Sequence, residues 1–149
     1  MSDKPLKPGE EATQAVLPAD ASLGFIGHVE TPWKTLADCP KRADPDGPVS
    51  TAVVNAPWDR ALIGVEGFEW IELYLWFHKA RRDLLVIRPG HAEGLRGVFS
   101  LRSPVRPNPI AVTNVRLLGI EGNRLRVAGL EALNGTPLLD IKPGRCPFA

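Results

Sequence analysis

A mainly β fold, a small barrel or sandwich, is what this sequence of 149 residues predicts. Three observations lead there. The 15 prolines and 14 glycines make up about a fifth of the chain, against roughly 12% in an average protein, which works against a helical bundle. Apolar and polar residues alternate in short runs, and helical periodicity is almost absent. Turn signals separate those runs at the short intervals of all-β chains. One domain is expected at this length. A chain of this size buries roughly 70% of its unfolded surface, enough for a core without disulfides.

Residues 1–20 hold Pro5, Pro8 and Pro18 among scattered charges and read as a flexible N-terminal tail. The remaining 21–149 read as the folded domain. Ser22 to Glu30 is short, β-rich and bounded by Pro32. Residues 35–48 carry three prolines, three aspartates and a glycine, and read as a loop. Val49 to Val54 predicts a strand. Pro57 to Leu62 predicts a helical turn with proline at its entry. From Trp70 to His78 the residues alternate: Ile71, Leu73, Leu75 and Phe77 on one face, and Trp70, Glu72, Tyr74, Trp76 and His78 on the other. Asp83 to Arg88 and Arg96 to Leu101 predict further strands. Ile110 to Ile120 and Arg124 to Leu130 read as a hairpin joined at Glu121-Gly122-Asn123. Asn134-Gly135 is the strongest short hairpin signal, and it leads into Leu138 to Ile141.

Composition narrows the function. No apolar run approaches the ~20 residues of a membrane-spanning helix. Residues 1–11 lack the apolar centre of a secretory signal. Cys39 and Cys146 are far apart and read as two reduced thiols, which suits the cytoplasm. His28, His78 and His91 show no ligand spacing, so no metal is expected. No G-x-G pair occurs, which removes the common dinucleotide and phosphate-loop signatures. The formal net charge is +1, but residues 1–78 hold 6 Lys/Arg and 12 Asp/Glu while residues 79–149 hold 12 and 5. Ten of those 12 C-terminal cations are arginine, the residue suited to forked phosphate or carboxylate contacts. The asymmetry points to an anionic partner or to two faces that neutralise each other.

Phe99 to Ile110, FSLRSPVRPNPI, is the segment densest in chemistry. Prolines at 104, 107 and 109 forbid a helix and stiffen the chain. Arg102, Ser103, Arg106 and Asn108 are thereby presented from a frame that loses little entropy on binding. Leu133 to Pro143, LNGTPLLDIKP, puts Asp140 and Lys142 on one side of an extended chain and Leu139 and Ile141 on the other. Cys39-Pro40-Lys41-Arg42 opens the long loop.

Taken in order, Phe25-Ile26-Gly27-His28-Val29, Thr31-Pro32, Cys39 to Arg42, Gly64 to Phe68, Phe77-His78, Gly97 to Ile110 and Asn134 to Pro143 resemble the TsaA-like, or TrmO, family. The resemblance covers about Leu23 to Pro143. It implies a small β-barrel that binds S-adenosyl-L-methionine, forms a homodimer and methylates N6-threonylcarbamoyladenosine beside the anticodon of tRNA. It places the cofactor against Pro40, Lys41, Arg42, Phe77, His78, Arg102, Val112, Leu130 and Glu131. Ser103, Arg106, Asn108 and Lys142 are then left for the substrate. His78, Glu131 and Asp140 are the candidate catalytic bases, because the carbamoyl group makes the acceptor nitrogen's proton acidic and its lone pair weak. Two other functions stay open: methylation of another RNA or a small molecule, and a non-catalytic module that holds S-adenosylmethionine. Three positions depart from the family pattern: Asn134 stands for aspartate, Gly144 for tyrosine and Ala111 for glycine. The expectation is a family domain without the C-terminal extension of the characterised bacterial enzyme.

Overall fold

The computed structural model describes residues 5–90 and 93–146. His91 lies outside them, so the expectation about the three histidines is followed only for His28 and His78. The described chain divides into two compact units, one of residues 23–76 and 111–146, the other of residues 5–22, 77–90 and 93–110.

The first unit is a closed barrel of six strands in the order β2-β3-β8-β7-β4-β9. Its strands are β2 (Gly27–Glu30), β3 (Val49–Val54), β4 (Trp70–Trp76), β7 (Ile110–Glu121), β8 (Arg124–Ala128) and β9 (Pro137–Pro143). The registered neighbours run antiparallel. Closure leaves no unpaired edge, which is how such a small sheet avoids sticking to others. The expected mainly β barrel with short helical turns is what forms: Trp58–Leu62 and Val65–Gly67 are 3-10 turns.

Alternation along the strands builds the core. Ile71, Leu73 and Leu75 of β4 are buried, as are Val29, Ala52, Val54, Val115, Leu125, Val127 and Leu138 from the other strands. Full burial of such side chains stabilises a fold by ~1.5–3 kcal/mol each. Phe77 does not continue the β4 face, because the strand ends at Trp76 and residues 77–80 turn, with the Ala80 amide on the Phe77 carbonyl at 3.0 Å.

Two ladder irregularities re-aim side chains. On β9 the register slips between Asp140 and Leu138 against Tyr74 and Leu75. Leu138, not Leu139, is therefore the fully buried residue, and the expected Leu139–Ile141 face is displaced by that bulge. On β7 a similar slip falls between Leu117 and Gly119, and Leu118 is exposed. Gly122 takes a left-handed φ of +60° in the β7–β8 hairpin, where glycine carries no steric cost. Asn134-Gly135 makes a turn, with Gly135 at φ +82°, but not a hairpin. β9 pairs with β2 and β4 rather than with the preceding strand β8.

The second unit holds a three-stranded sheet, β1 (Glu11–Ala12), β5 (Leu84–Ile87) and β6 (Arg96–Gly97), with β5 in the centre. Leu84, Ile87 and Val98 form its core, with Leu101 and Val105 against them. The stretch read as a tail thus contributes a strand. The Thr13 amide donates to the Asp83 carbonyl at 2.8 Å, and Glu10 accepts the Arg88 amide at 2.9 Å. The strand expected over Arg96 to Leu101 stops at Gly97. There Val98–Ser100 turns as a 3-10 helix, closed by Ser100 Oγ on the Gly97 carbonyl at 2.7 Å.

Candidate functional site

In the second unit the proline-rich loop is braced by arginines. Prolines 104, 107 and 109 lack N–H groups, so the loop cannot satisfy its own carbonyls with a backbone ladder. Guanidinium groups do so instead. Arg106 Nη2 donates to the carbonyls of Val98 and Leu101, both at 3.0 Å. Arg82 donates through Nε to the Pro107 carbonyl at 2.6 Å and through Nη2 to Asn108 Oδ1 at 3.2 Å. The Phe77 amide donates to the Pro109 carbonyl at 2.9 Å. Ser103 Oγ accepts the Val105 amide at 3.2 Å. Of the residues expected to face a substrate, Ser103 accepts a bond within the loop, Arg106 donates to Val98 and Leu101, and Asn108 accepts from Arg82 upstream. Arg102 differs: it is exposed, and no described residue bonds its guanidinium. His78 is exposed beside half-buried Phe77.

In the barrel unit, the segment after β8 is sewn to the residues following β2. Trp33 Nε1 donates to the Leu130 carbonyl at 3.3 Å, Thr31 Oγ1 to the Ala132 carbonyl at 2.8 Å and the Thr31 amide to Asn134 Oδ1 at 3.0 Å. The amides of Asn134 and Gly135 donate to the carbonyls of Trp33 and Val29 at 2.7 and 2.8 Å. Leu130 and Ala132 are buried on either side of half-buried Glu131. Burial raises the Glu131 carboxyl above its ordinary range, because a charge removed from water favours its neutral form.

The long loop approaches the same segment. A Cβ on Gly129 would touch Pro45 Cα at 3.6 Å. Asp38 accepts the amide and hydroxyl of Thr35 at 3.0 and 2.7 Å, which shapes the loop's first turn. Pro40 is half-buried, whereas Lys41 and Arg42 are exposed and without partners among the described residues. Cys39 Sγ lies 3.6 Å from the Thr35 carbonyl, and burial raises its pKa. Cys39 and Cys146 are not joined in a disulfide. Val112 stands exposed on β7.

Asp140 and Lys142 do share a side of β9, as expected, with Lys142 Nζ 2.9 Å from Asp140 Oδ2. Two residues not singled out from the sequence join them from β4. Tyr74 pairs with Asp140 in register and Glu72 with Lys142. The Tyr74 hydroxyl donates to Glu72 at 3.0 Å, and Lys142 Nζ stands 5.5 Å from the Tyr74 ring centre. Their alternation on β4 was the available signal, but the partner strand could not be read without the barrel. All four groups are exposed or half-exposed, so the cluster adds little stability. Asp140 is tied to Lys142 by that ion pair.

Among the described residues no His, Cys, Asp and Glu side chains gather into a metal-holding group. No helix among them is long and apolar enough to cross a membrane. A hollow of about 110 Å³ is lined by Glu66, Phe68 and residues 117–120; Glu66 and Phe68 belong to the Gly64 to Phe68 motif, and none of the lining residues is among the candidate site residues. Individual side chains carry chemistry suited to S-adenosylmethionine. The uncommitted guanidinium of Arg102 suits its carboxylate. The Glu131 carboxyl suits hydroxyl or ammonium donors, and Phe77 suits a positive sulfonium or an adenine face.

A closed barrel without a dinucleotide signature defines a class of small β proteins distinct from the α/β nucleotide-binding folds. The chain belongs to the tRNA-methyltransferase O N-terminal domain family, whose pattern matches residues 28–145. A probable S-adenosyl-L-methionine-binding protein, VirR of Rhizobium radiobacter, is 43% identical over 140 residues, covering 94% of this chain and 80% of that protein. An S-adenosyl-L-methionine-binding protein of Archaeoglobus fulgidus is 42% identical over 118 residues, covering 78% of this chain and 84% of the relative. The crystal structure of a TrmO matches with a TM-score of 0.71 and 34% identity over 88% of this chain. The chain spans 60% of that structure's length.

Proposed function

We propose that this chain binds S-adenosyl-L-methionine and methylates the exocyclic nitrogen of N6-threonylcarbamoyladenosine in tRNA. Membership of the family supports the reading, and so do the names of the relatives. The observation that carries it is Arg102: an exposed guanidinium with no described protein partner, on a loop whose every other polar side chain is engaged. A cation left unpaired on a rigid frame is arranged for an anion from outside the chain.

When bound, S-adenosylmethionine supplies an already activated methyl group on sulfur. The protein's part is then to orient the reactants and to accept a proton. Arg102 holds the carboxylate of the cofactor. Glu131 is the fitted base among the three candidates, because its raised pKa brings it closer to the range where a base both holds and releases a proton. Asp140 is drawn instead into its pair with Lys142, and His78 remains an alternative. The Arg-rich half of the chain supplies cations for RNA phosphates. A homodimer is part of the same proposal.

The test is nucleoside mass spectrometry of tRNA carrying threonylcarbamoyladenosine after incubation with the purified chain and S-adenosylmethionine. The methylated nucleoside is the expected product. A second reading, binding without catalysis, is favoured by relatives named only for S-adenosylmethionine binding. Tight cofactor binding in calorimetry with no methylated nucleoside would select it.

A further inference from the structure

We propose that Arg82, a residue outside every motif above, is a positioning residue that locks the proline-rich loop so that Arg102 is held ready for the cofactor. The inference rests on the reading of Arg102 as a cofactor contact. The loop has a specific weakness. Between Ser103 and Asn108 only Val105, Arg106 and the two end residues retain an amide N–H, and the backbone forms no ladder there. Its carbonyls must be satisfied by side chains or water.

Two guanidiniums do this at the two ends of the loop. Arg106 belongs to the loop and ties it back to Val98 and Leu101, immediately before Arg102. Arg82 reaches in from 25 residues upstream and takes the far end, Pro107 and Asn108. The Phe77 amide adds a third tie at Pro109, which is buried. In sequence Arg102 lies between these anchors, next to Leu101, which with Val105 packs against the buried Val98. Arg82 anchors the far end with a side chain from a distant stretch of sequence. Its planar fork holds a backbone carbonyl and an amide oxygen with two separate nitrogens fixed in one plane, whereas lysine offers a single nitrogen. Cutting that anchor lets the loop sample other shapes, and the cofactor must then supply the ordering that Arg82 now supplies.

The experiment is calorimetry on the full chain with S-adenosylhomocysteine as the probe. It compares wild type, Arg82→Gln, Arg82→Lys, Arg102→Ala and the double variant Arg82→Gln/Arg102→Ala. Amide hydrogen exchange of residues 101–110 is measured in parallel. Arg82→Gln is expected to weaken binding about tenfold, with faster exchange at Val105, Arg106 and Asn108. Arg82→Lys is expected to restore part of the affinity, and its comparison with wild type carries the test if Arg82→Gln does not fold. The double variant is expected to bind no worse than Arg102→Ala alone, since a residue acting through Arg102 has nothing left to position. Arg82 variants that bind and exchange like wild type overturn the proposal. So does a double variant that loses the full product of the two single effects, because Arg82 would then contact the ligand itself. A wild type that does not bind the probe overturns the reading of Arg102 and with it this inference. Unchanged exchange in Arg82→Gln would separately reject the brace.

Discussion

The side-chain oxygen of Asn134 accepts the backbone amide of Thr31 at 3.0 Å, across 103 residues of sequence. That bond ties the turn before β9 to the end of β2, and Glu131 lies in the segment so anchored. Asn134→Asp keeps an acceptor oxygen and is expected to leave stability within about 0.5 kcal/mol of wild type. Asn134→Ala strands the Thr31 amide and is expected to cost about 1 kcal/mol in urea unfolding. Equal behaviour of the two variants would show that the bond contributes nothing.

Arg102→Ala is expected to weaken S-adenosylmethionine binding at least about tenfold, since a charge-assisted fork to a carboxylate is lost. The melting temperature is expected to stay close to that of wild type, because no described residue bonds the guanidinium. Calorimetry and thermal melts on the same preparation check both halves. A large drop in melting temperature would mean that Arg102 supports the fold.

Glu131 has a carboxyl raised by burial from its ordinary value of 4.5. The folded chain therefore binds its proton more tightly than the unfolded chain. The stability this contributes is complete below 4.5 and is lost as pH rises through the raised value. Arg102 and other sites being equal, Glu131→Gln should gain stability relative to wild type over that rise. Urea unfolding of both proteins from pH 4 to pH 7 reads the difference, and a flat difference would remove burial as the cause.

Asp83 behaves oppositely. Two hydrogen bonds from Arg81, at 2.8 and 2.7 Å, lower its carboxyl below the ordinary value of 3.8. Their contribution is present above 3.8 and is lost as pH falls through the lowered value. Asp83→Asn is expected to cost about 1 kcal/mol at neutral pH. The cost should shrink in acid, which denaturation at pH 3 against pH 7 would show.

Gly144 stands where the barrel leaves no room for a side chain. A Cβ there would lie 2.8 Å from the Ile71 backbone nitrogen and closer still to Asn114 Oδ1. The Gly144 amide also donates to the Trp70 carbonyl at 2.8 Å, continuing the β4–β9 contact. Gly144→Ala is expected to cost about 1–3 kcal/mol through overpacking. An alanine variant as stable as wild type would mean that the 143–146 segment shifts without penalty.

Much of the barrel was legible because the signal is local. The alternation of Ile71, Leu73 and Leu75 needs only the period of a strand, and Gly122-Asn123 needs only the backbone freedom of glycine. The proline-rich loop announced its rigidity through residues that cannot form a ladder. The candidate residues were legible as segments, yet their individual duties were not. Ser103, Arg106 and Asn108 looked alike from the sequence as polar groups on a stiff loop. Only packing distinguishes them from Arg102, because Val98, Leu101 and Arg82 come into reach through folding.

The sequence by itself determined a β-rich chain, its turn sites and the motifs that place it in a family, since these depend on neighbours within a few residues. The tertiary structure alone decided which strands close the barrel and which leucine of β9 enters the core. It also decided that residues near the N-terminus pair with β5, and that Asn134-Gly135 turns the chain without making a hairpin. Each of those outcomes depends on partners tens of residues away. Local periodicity carries no information about them, because a strand's pattern says that it has a dry face but not which strand will lie beside it.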